Sequence, residues 1–408
     1  MIIQNVGKSL YRIKDYINKT PLEYSERLSK KFNCNIFLKR EDLQKTRSFK
    51  IRGSLNKILK NNNSDSEIVC ASAGNHAQGV AYSCKLLGLN GKIFCPIFTP
   101  PQKINRIKHF GNGNIDLELV GENFHECLEI SKIYSQENQG LFIHPFDDMD
   151  IIEGQGTIGK EIFDDNYNID IVVGCMGGGG LMSGVGKYIK DISPECLVYG
   201  VEPYGAHSMY QSFKENKIVK IENIDNFVDG ASVSEVGELT FNICKEVLDE
   251  IFVVNNERIC NEMLELYQED GIIVEPAGCL SICGLDELSQ KNDITGKNIV
   301  CIVSGGNNDI MRYPEILEKN MIYLGLKHYY IIEFSQKPLQ LKRFITNVLD
   351  GCDDITRFEY IKKTNKTFGN VLVGFETENF KELERKMEEN GFNFRKIDEN
   401  DLIFSYLI

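Results

Sequence analysis

Between residues 35 and 303, short apolar runs take turns with segments of helical periodicity, and no other feature constrains the fold as much. The runs at 68–71, 92–98, 169–174, 197–201 and 298–303 are too short for buried helices. They also lack the polar alternation of a strand with one wet face. Strands buried on both faces and separated by helices make a parallel sheet covered by helices. Helices are expected near 10–18 and over 48–61, 78–87, 102–110, 124–137, 153–164, 184–190, 238–248 and 257–270. The fold class is therefore α/β.

After Pro314 the texture changes. A charged helix at 314–320 reads as a linker. A strand (329–334), a helix (339–349), two strands (355–362, 371–376), a helix (380–390) and a strand (402–406) follow. The order β-α-β-β-α-β is that of a ferredoxin-like α+β unit. The expected domains are 1–320 and 325–408, with the boundary near 324.

Composition removes several function classes. The formal net charge of -13 argues against a nucleic-acid partner, because phosphate backbones attract a basic face. No apolar run reaches the ~20 residues that span a bilayer, and the first residues lack the order of a signal peptide. Thirteen cysteines, scattered and without a Cys-x-x-Cys, fit a reducing compartment better than disulfides or a metal site. The expectation is a cytoplasmic protein with no bound metal.

Four stretches carry chemistry. Ser48-Phe49-Lys50 runs into a helix, where burial would depress the lysine pKa and free an amine to attack a carbonyl; alone, it also reads as a surface lysine. Gly177-Gly178-Gly179-Gly180 follows a buried strand and opens a helix, so its backbone N–H groups could converge on a phosphate, or simply form a packing turn. Ser72-Ala-Gly-Asn-His76 ends another strand. Its amides and the Ser72 hydroxyl could hold a carboxylate, Asn75 is a hydrogen-bond donor or a turn residue, and the His76 ring reads as structural. Ser304-Gly-Gly-Asn-Asn308 ends a third strand, where α/β proteins place ligands.

Together with Lys39-Arg-Glu-Asp42, His144-Pro-Phe-Asp-Asp148, Glu153-Gly-Gln-Gly156 and Glu275-Pro-Ala-Gly278, these stretches resemble the fold-type II pyridoxal-phosphate enzymes. This is the two-lobed, tryptophan synthase β-like group that includes the threonine dehydratases. The motifs occur in family order over residues 20–310. The resemblance implies pyridoxal phosphate as cofactor, held as a Schiff base on Lys50 beside Phe49. Gly177, Gly178, Gly179, Gly180 and the Leu181 amide would cradle its phosphate, Asn75 would face the ring hydroxyl, and Ser304 the ring nitrogen. Ser72, Ala73, Gly74, Asn75 and His76 would form the loop around the substrate carboxylate. In related serine racemases a serine matches Ala73 and serves as a second base, so alanine implies dehydration with little racemisation.

The implied reaction is conversion of L-threonine to 2-oxobutanoate and ammonia, the first step toward isoleucine, by a homo-oligomer. A catabolic serine/threonine deaminase, or an amino-acid sensor without catalysis, are the alternatives. The C-terminal unit resembles an ACT-like regulatory domain with isoleucine or valine as effector. Its first strand-to-helix turn reads Lys337-Pro-Leu-Gln-Leu341, without the glycine usual there, which implies a weak isoleucine response.

Overall fold

The alternation resolves into two sheets within Met1–Asn308, the first of two compact units of the computed structural model; the second is Asp309–Ile408. The structure describes residues 2–61, 66–166, 168–361, 366–398 and 401–407. The larger sheet runs, in spatial order, Leu22–Tyr24, Asn35–Arg40, Asn298–Val303, Ile171–Cys175, Leu197–Pro203 and Glu250–Val254. All its pairings are parallel except the first. The smaller sheet runs Ile115–Leu119, Gly91–Cys95, Ile68–Ala71 and Leu141–Phe142, all parallel. Because neighbouring strands point the same way, the loops after Arg40, Cys175 and Val303 share one end of the larger sheet.

Three helices pack almost backbone to backbone beneath that end: Lys50–Asn61, Met149–Asp165 and Gly180–Ile192. A Cβ at Gly154 would lie 2.6 Å from the Arg52 carbonyl oxygen, and one at Gly184 would lie 2.2 Å from that of Ile152. Between the helices and the sheet sits a buried ionic cluster. Arg52 donates to both Glu41 oxygens and both Glu161 oxygens, each at 2.8 Å. Lys39 donates to Glu161 at 2.7 Å and to the Thr20 carbonyl at 2.6 Å. Lys39, Glu41 and Arg52 are fully buried. Two cations and two carboxylates balance, and every charge has hydrogen-bonded partners, the condition for ions to persist away from water.

Several elements differ from the expectation. The first helix is Ile2–Ile13, not 10–18, and it buries Val6, Ser9 and Ile13 on one stripe. The helix Ser208–Glu215 was not anticipated; buried Glu202 accepts the N–H groups of Met209 and Tyr210 at its start. No helix among the described residues is long and apolar enough to cross a membrane.

The second unit holds the β-α-β-β-α-β order. Its antiparallel strands lie in the sequence Asp354–Tyr360, Phe368–Glu376, Lys327–Ser335 and Phe394–Ile397. The last strand is therefore Phe394–Ile397, paired with Tyr329–Ile332, and not 402–406; Phe404–Leu407 is helical. Residue 362, expected to close the second strand, lies outside the described residues. The helix expected as a linker spans Tyr313–Tyr323 and belongs to this unit, where Glu318 accepts from Lys327 at 2.6 Å and from the Tyr329 hydroxyl.

The turn that lacks glycine keeps a glycine's geometry. Leu339 has φ 67° and ψ 11° and is 75% exposed. A left-handed conformation costs an L-residue about 1–2 kcal/mol, and the freedom glycine loses on folding returns part of that. Leu339→Gly is expected to stabilise this unit by about 0.5–1 kcal/mol, seen as a higher midpoint in denaturant unfolding; an unchanged or lower midpoint would contradict the strain.

Candidate active site

Lys50 is the first residue of its helix. The approach to it is fastened to the end of the strand Asn298–Val303. The Phe49 N–H donates to the Ser304 carbonyl at 3.1 Å, and Ser48 bridges Gly305. The Lys50 Nζ donates to the Pro145 carbonyl at 3.0 Å and lies 5.2 Å from the Phe49 ring centre. Desolvation brings its pKa down to about 8, against the opposing pull of Cys175 and Glu275.

The glycine loop follows the adjacent parallel strand, Ile171–Cys175. Gly179, with φ 84°, turns the chain into the helix Gly180–Ile192. The first N–H groups of that helix have no partner inside it, and they lie at its positive end. Behind the loop stands Phe146: a Cβ at Gly178 would lie 2.3 Å from its ring, and one at Gly180 would lie 2.9 Å from its Cβ. The residue that backs the loop thus directly follows the one whose carbonyl holds Lys50. A lysine amine and a glycine loop, distant in sequence, meet on Pro145–Phe146.

Ser304 is buried, and its hydroxyl donates to the Ala277 carbonyl at 3.0 Å. Burial pushes the neighbouring Cys175 thiol up to about 11, and a hydrogen bond with Ser304 opposes it. From the smaller sheet, Ser72 follows Ile68–Ala71 and accepts the Gly74 N–H at 3.1 Å. Ala73 packs on the smaller lobe's core, and Asn75 starts the helix Asn75–Leu87. The His76 ring turns away and meets the Ile143 carbonyl at 2.8 Å. Desolvation, then the Lys50 charge, lower its pKa to about 3, so it is neutral.

The structure adds groups to which the sequence had assigned no role. The Asn75 Nδ2 donates to Glu275 Oε1 at 2.6 Å, and its Oδ1 accepts from Asn307 Nδ2 at 2.7 Å. Asn307 also donates to the Thr46 carbonyl at 2.9 Å. One Asn75 hydrogen is left, since a primary amide has two. Glu275 is enclosed by Gly305 and Gly230, and burial raises its pKa to about 7, with Asp229 adding to the effect. Its signal was the carboxylate directly ahead of Pro276-Ala-Gly278, at the mouth of a helix.

Residues 13–305 match the family model "Pyridoxal-phosphate dependent enzyme", and residues 318–407 match "C-terminal regulatory domain of Threonine dehydratase". The chain is 48% identical over 402 residues to "L-threonine dehydratase biosynthetic IlvA" of Halalkalibacterium halodurans, covering 97% of this chain and 96% of that one. The protein of the same name from Bacillus subtilis is 45% identical over 412 residues, covering 100% and 97%. Among solved structures, the processed form of threonine deaminase isoform 2 from Solanum lycopersicum superposes with a TM-score of 0.74 at 38% identity, over 79% of this chain and 88% of that one. Maize serine racemase gives 0.72 at 30% identity, over 79% and 98%.

Two glycine-to-alanine changes should separate packing from propensity. Gly178→Ala drives a methyl into the Phe146 ring and is expected to cost about 1–3 kcal/mol. Gly7→Ala, in a helix with nothing within 4 Å of the new Cβ, is expected to gain about 0.5–1 kcal/mol. Denaturant unfolding of both variants checks the signs; equal effects would show that the loop has room.

Proposed function

The chain belongs to the pyridoxal-phosphate-dependent enzymes, and from that premise we infer that it is a biosynthetic threonine dehydratase: it removes the hydroxyl and amino groups of L-threonine to give 2-oxobutanoate and ammonia, the first step toward isoleucine. The observation that carries the reading is the meeting of Lys50 and the glycine loop on Pro145–Phe146.

The residues present fit the cofactor. A desolvated amine suits an aldehyde, a glycine loop at a helix N-terminus suits a phosphate, and a spare Asn75 N–H suits a ring oxygen. Lys50 would hold the group covalently, with Phe49 beside it. Gly177 to Gly180 and the Leu181 amide would hold its phosphate, Asn75 its ring hydroxyl and Ser304 its ring nitrogen. When bound, pyridoxal phosphate supplies a carbonyl for the substrate amine and a ring that takes up the electrons left by a departing Cα proton.

The protein's own groups do the rest. Ser72, positioned by the Gly74 N–H that it accepts, and the Asn75 amide orient the substrate carboxylate at the start of the Asn75 helix. The Lys50 Nζ, its proton affinity reduced by burial, accepts the Cα proton. Glu275 and Asn307 hold the Asn75 amide so that its remaining N–H faces inward. Ser304 offers a neutral hydroxyl where a carboxylate would fix a positive charge, which favours rapid loss of the β-hydroxyl. The chain works in the cytoplasm as a homo-oligomer, a placement supported by its thirteen thiols, twelve of them buried.

Lys50→Ala is expected to abolish both the visible absorption of bound cofactor and 2-oxobutanoate formation. An intact band in that variant would remove Lys50 from its role.

The C-terminal unit is a regulatory domain, with isoleucine or valine as the effector class. An exposed leucine stands where an effector's backbone would approach a glycine. Isoleucine inhibition should therefore be weak or absent when 2-oxoacid formation from threonine and serine is assayed with and without it. A steep inhibition curve at low isoleucine would refute this.

A further inference from the structure

Two guanidinium groups converge on the turn after the strand Asn298–Val303 and form no ion pair there among the described residues. Arg106, from the helix Pro101–Gly111 of the smaller lobe, donates through Nη2 to Asn307 Oδ1 at 2.9 Å. Arg47, from the loop ahead of Lys50, lies over the preceding residue: its Nη2 is 3.7 Å from where a Cβ on Gly306 would be, and its carbonyl accepts the Gly306 N–H at 2.9 Å.

Three observations bear on this pair. First, neither forms an ion pair among the described residues, whereas Arg27, Arg40, Arg52 and Arg258 each hold carboxylates. Asp42 comes close to Gly306, but Arg40 takes both its oxygens, at 2.9 and 2.7 Å. Glu275 is linked to Arg106 by hydrogen bonds only through the Asn75–Asn307 relay, and its charge opposes, without reversing, the lowering of the Arg106 pKa. Second, the Arg106 Nε is buried without a hydrogen-bond partner. Burial, and next the Arg47 charge, lower the Arg106 pKa, while Arg40 and Arg52 are raised. Third, Arg47 has φ 56°, the left-handed region that a glycine would occupy at less cost. Repulsion, an unsatisfied buried donor and backbone strain at one point are each unfavourable alone, and an oxoanion between the guanidiniums offsets the first two.

We propose that Arg47 and Arg106 form a binding site for the carboxylate or phosphate group of a small molecule, next to the Asn75 relay and separate from the Ser72 loop and the glycine loop. The forks of two arginines match the planar or tetrahedral face of such a group and bind it in more than one contact. One turn earlier on the same helix, Lys103 is already paired with Asp229, so it does not compete for the anion. The site joins the two lobes, since one arginine comes from each.

The test titrates the cofactor-loaded protein calorimetrically with inorganic phosphate and, separately, with malonate, at constant low ionic strength. Wild type is expected to show a saturable component that weakens at least tenfold in Arg106→Gln and also in Arg47→Gly. The Arg47→Gly protein should lose this binding while its unfolding temperature stays equal or rises, because glycine suits the local φ; a purely structural arginine would not give that combination. A component seen only with phosphate identifies a phosphate ester as the ligand class, and one seen only with malonate an organic acid. Either supports the site. Absence of a saturable component in wild type, or heats unchanged in both variants, overturns it. The visible absorption of each sample is recorded first, so a protein that fails to take up cofactor counts against the preceding reading and not against this one.

Discussion

The chemistry of this protein rests on a cluster of charges that never meets water. Arg52 lies two residues beyond Lys50, about 200° around the same helix at 3.6 residues per turn. With its guanidinium clamped between Glu41 and Glu161, the helix cannot rotate about its axis, and Lys50 must face the cleft. Lys39 completes the neutral set from the neighbouring strand. Such a cluster adds little net stability compared with apolar packing, but loss of one member leaves a naked buried charge at about 3–5 kcal/mol. Its contribution is direction. Leu55 and Ile51 would hold the helix in place without specifying which way the amine points.

Around that fixed helix, parallel pairing does the gathering. The strands Asn35–Arg40, Asn298–Val303 and Ile171–Cys175 run side by side in one sense, so the loops after them open at a common edge. Residues separated by some two hundred positions need no long-range device beyond strand direction to become neighbours. The smaller sheet brings the Ser72 loop by the same rule.

Much of this could be read from residue order. Buried strand followed by glycines followed by helix is a local pattern, and it placed the loop, Asn75 and Ser304 at strand ends where they stand. The fully apolar strands 298–303 and 68–71 were found at their observed bounds. What stayed hidden depends on contacts that leave little mark in sequence. The partner of Lys50 is a main-chain carbonyl, which any residue at 145 would supply. Glu275 and Asn307 matter through the amide they hold, not through a pattern of their own. In the second unit 402–406 alternates like a strand, yet Phe394–Ile397 fills the edge beside Tyr329–Ile332. At the N-terminus a helix was expected near 10–18, but the buried stripe begins at Val6.

The Asn75 relay has a mechanical side. Asn75 rides on the smaller lobe, while Glu275 and Asn307 belong to the larger one. Apolar contact between lobes fades gradually as surfaces part, whereas a hydrogen bond of this length is largely gone within an ångström or so. The amide therefore acts as a position gauge for the seam: the pocket is correctly furnished only when the halves are in register, and a small slip disarms it well before the lobes lose their grip on each other.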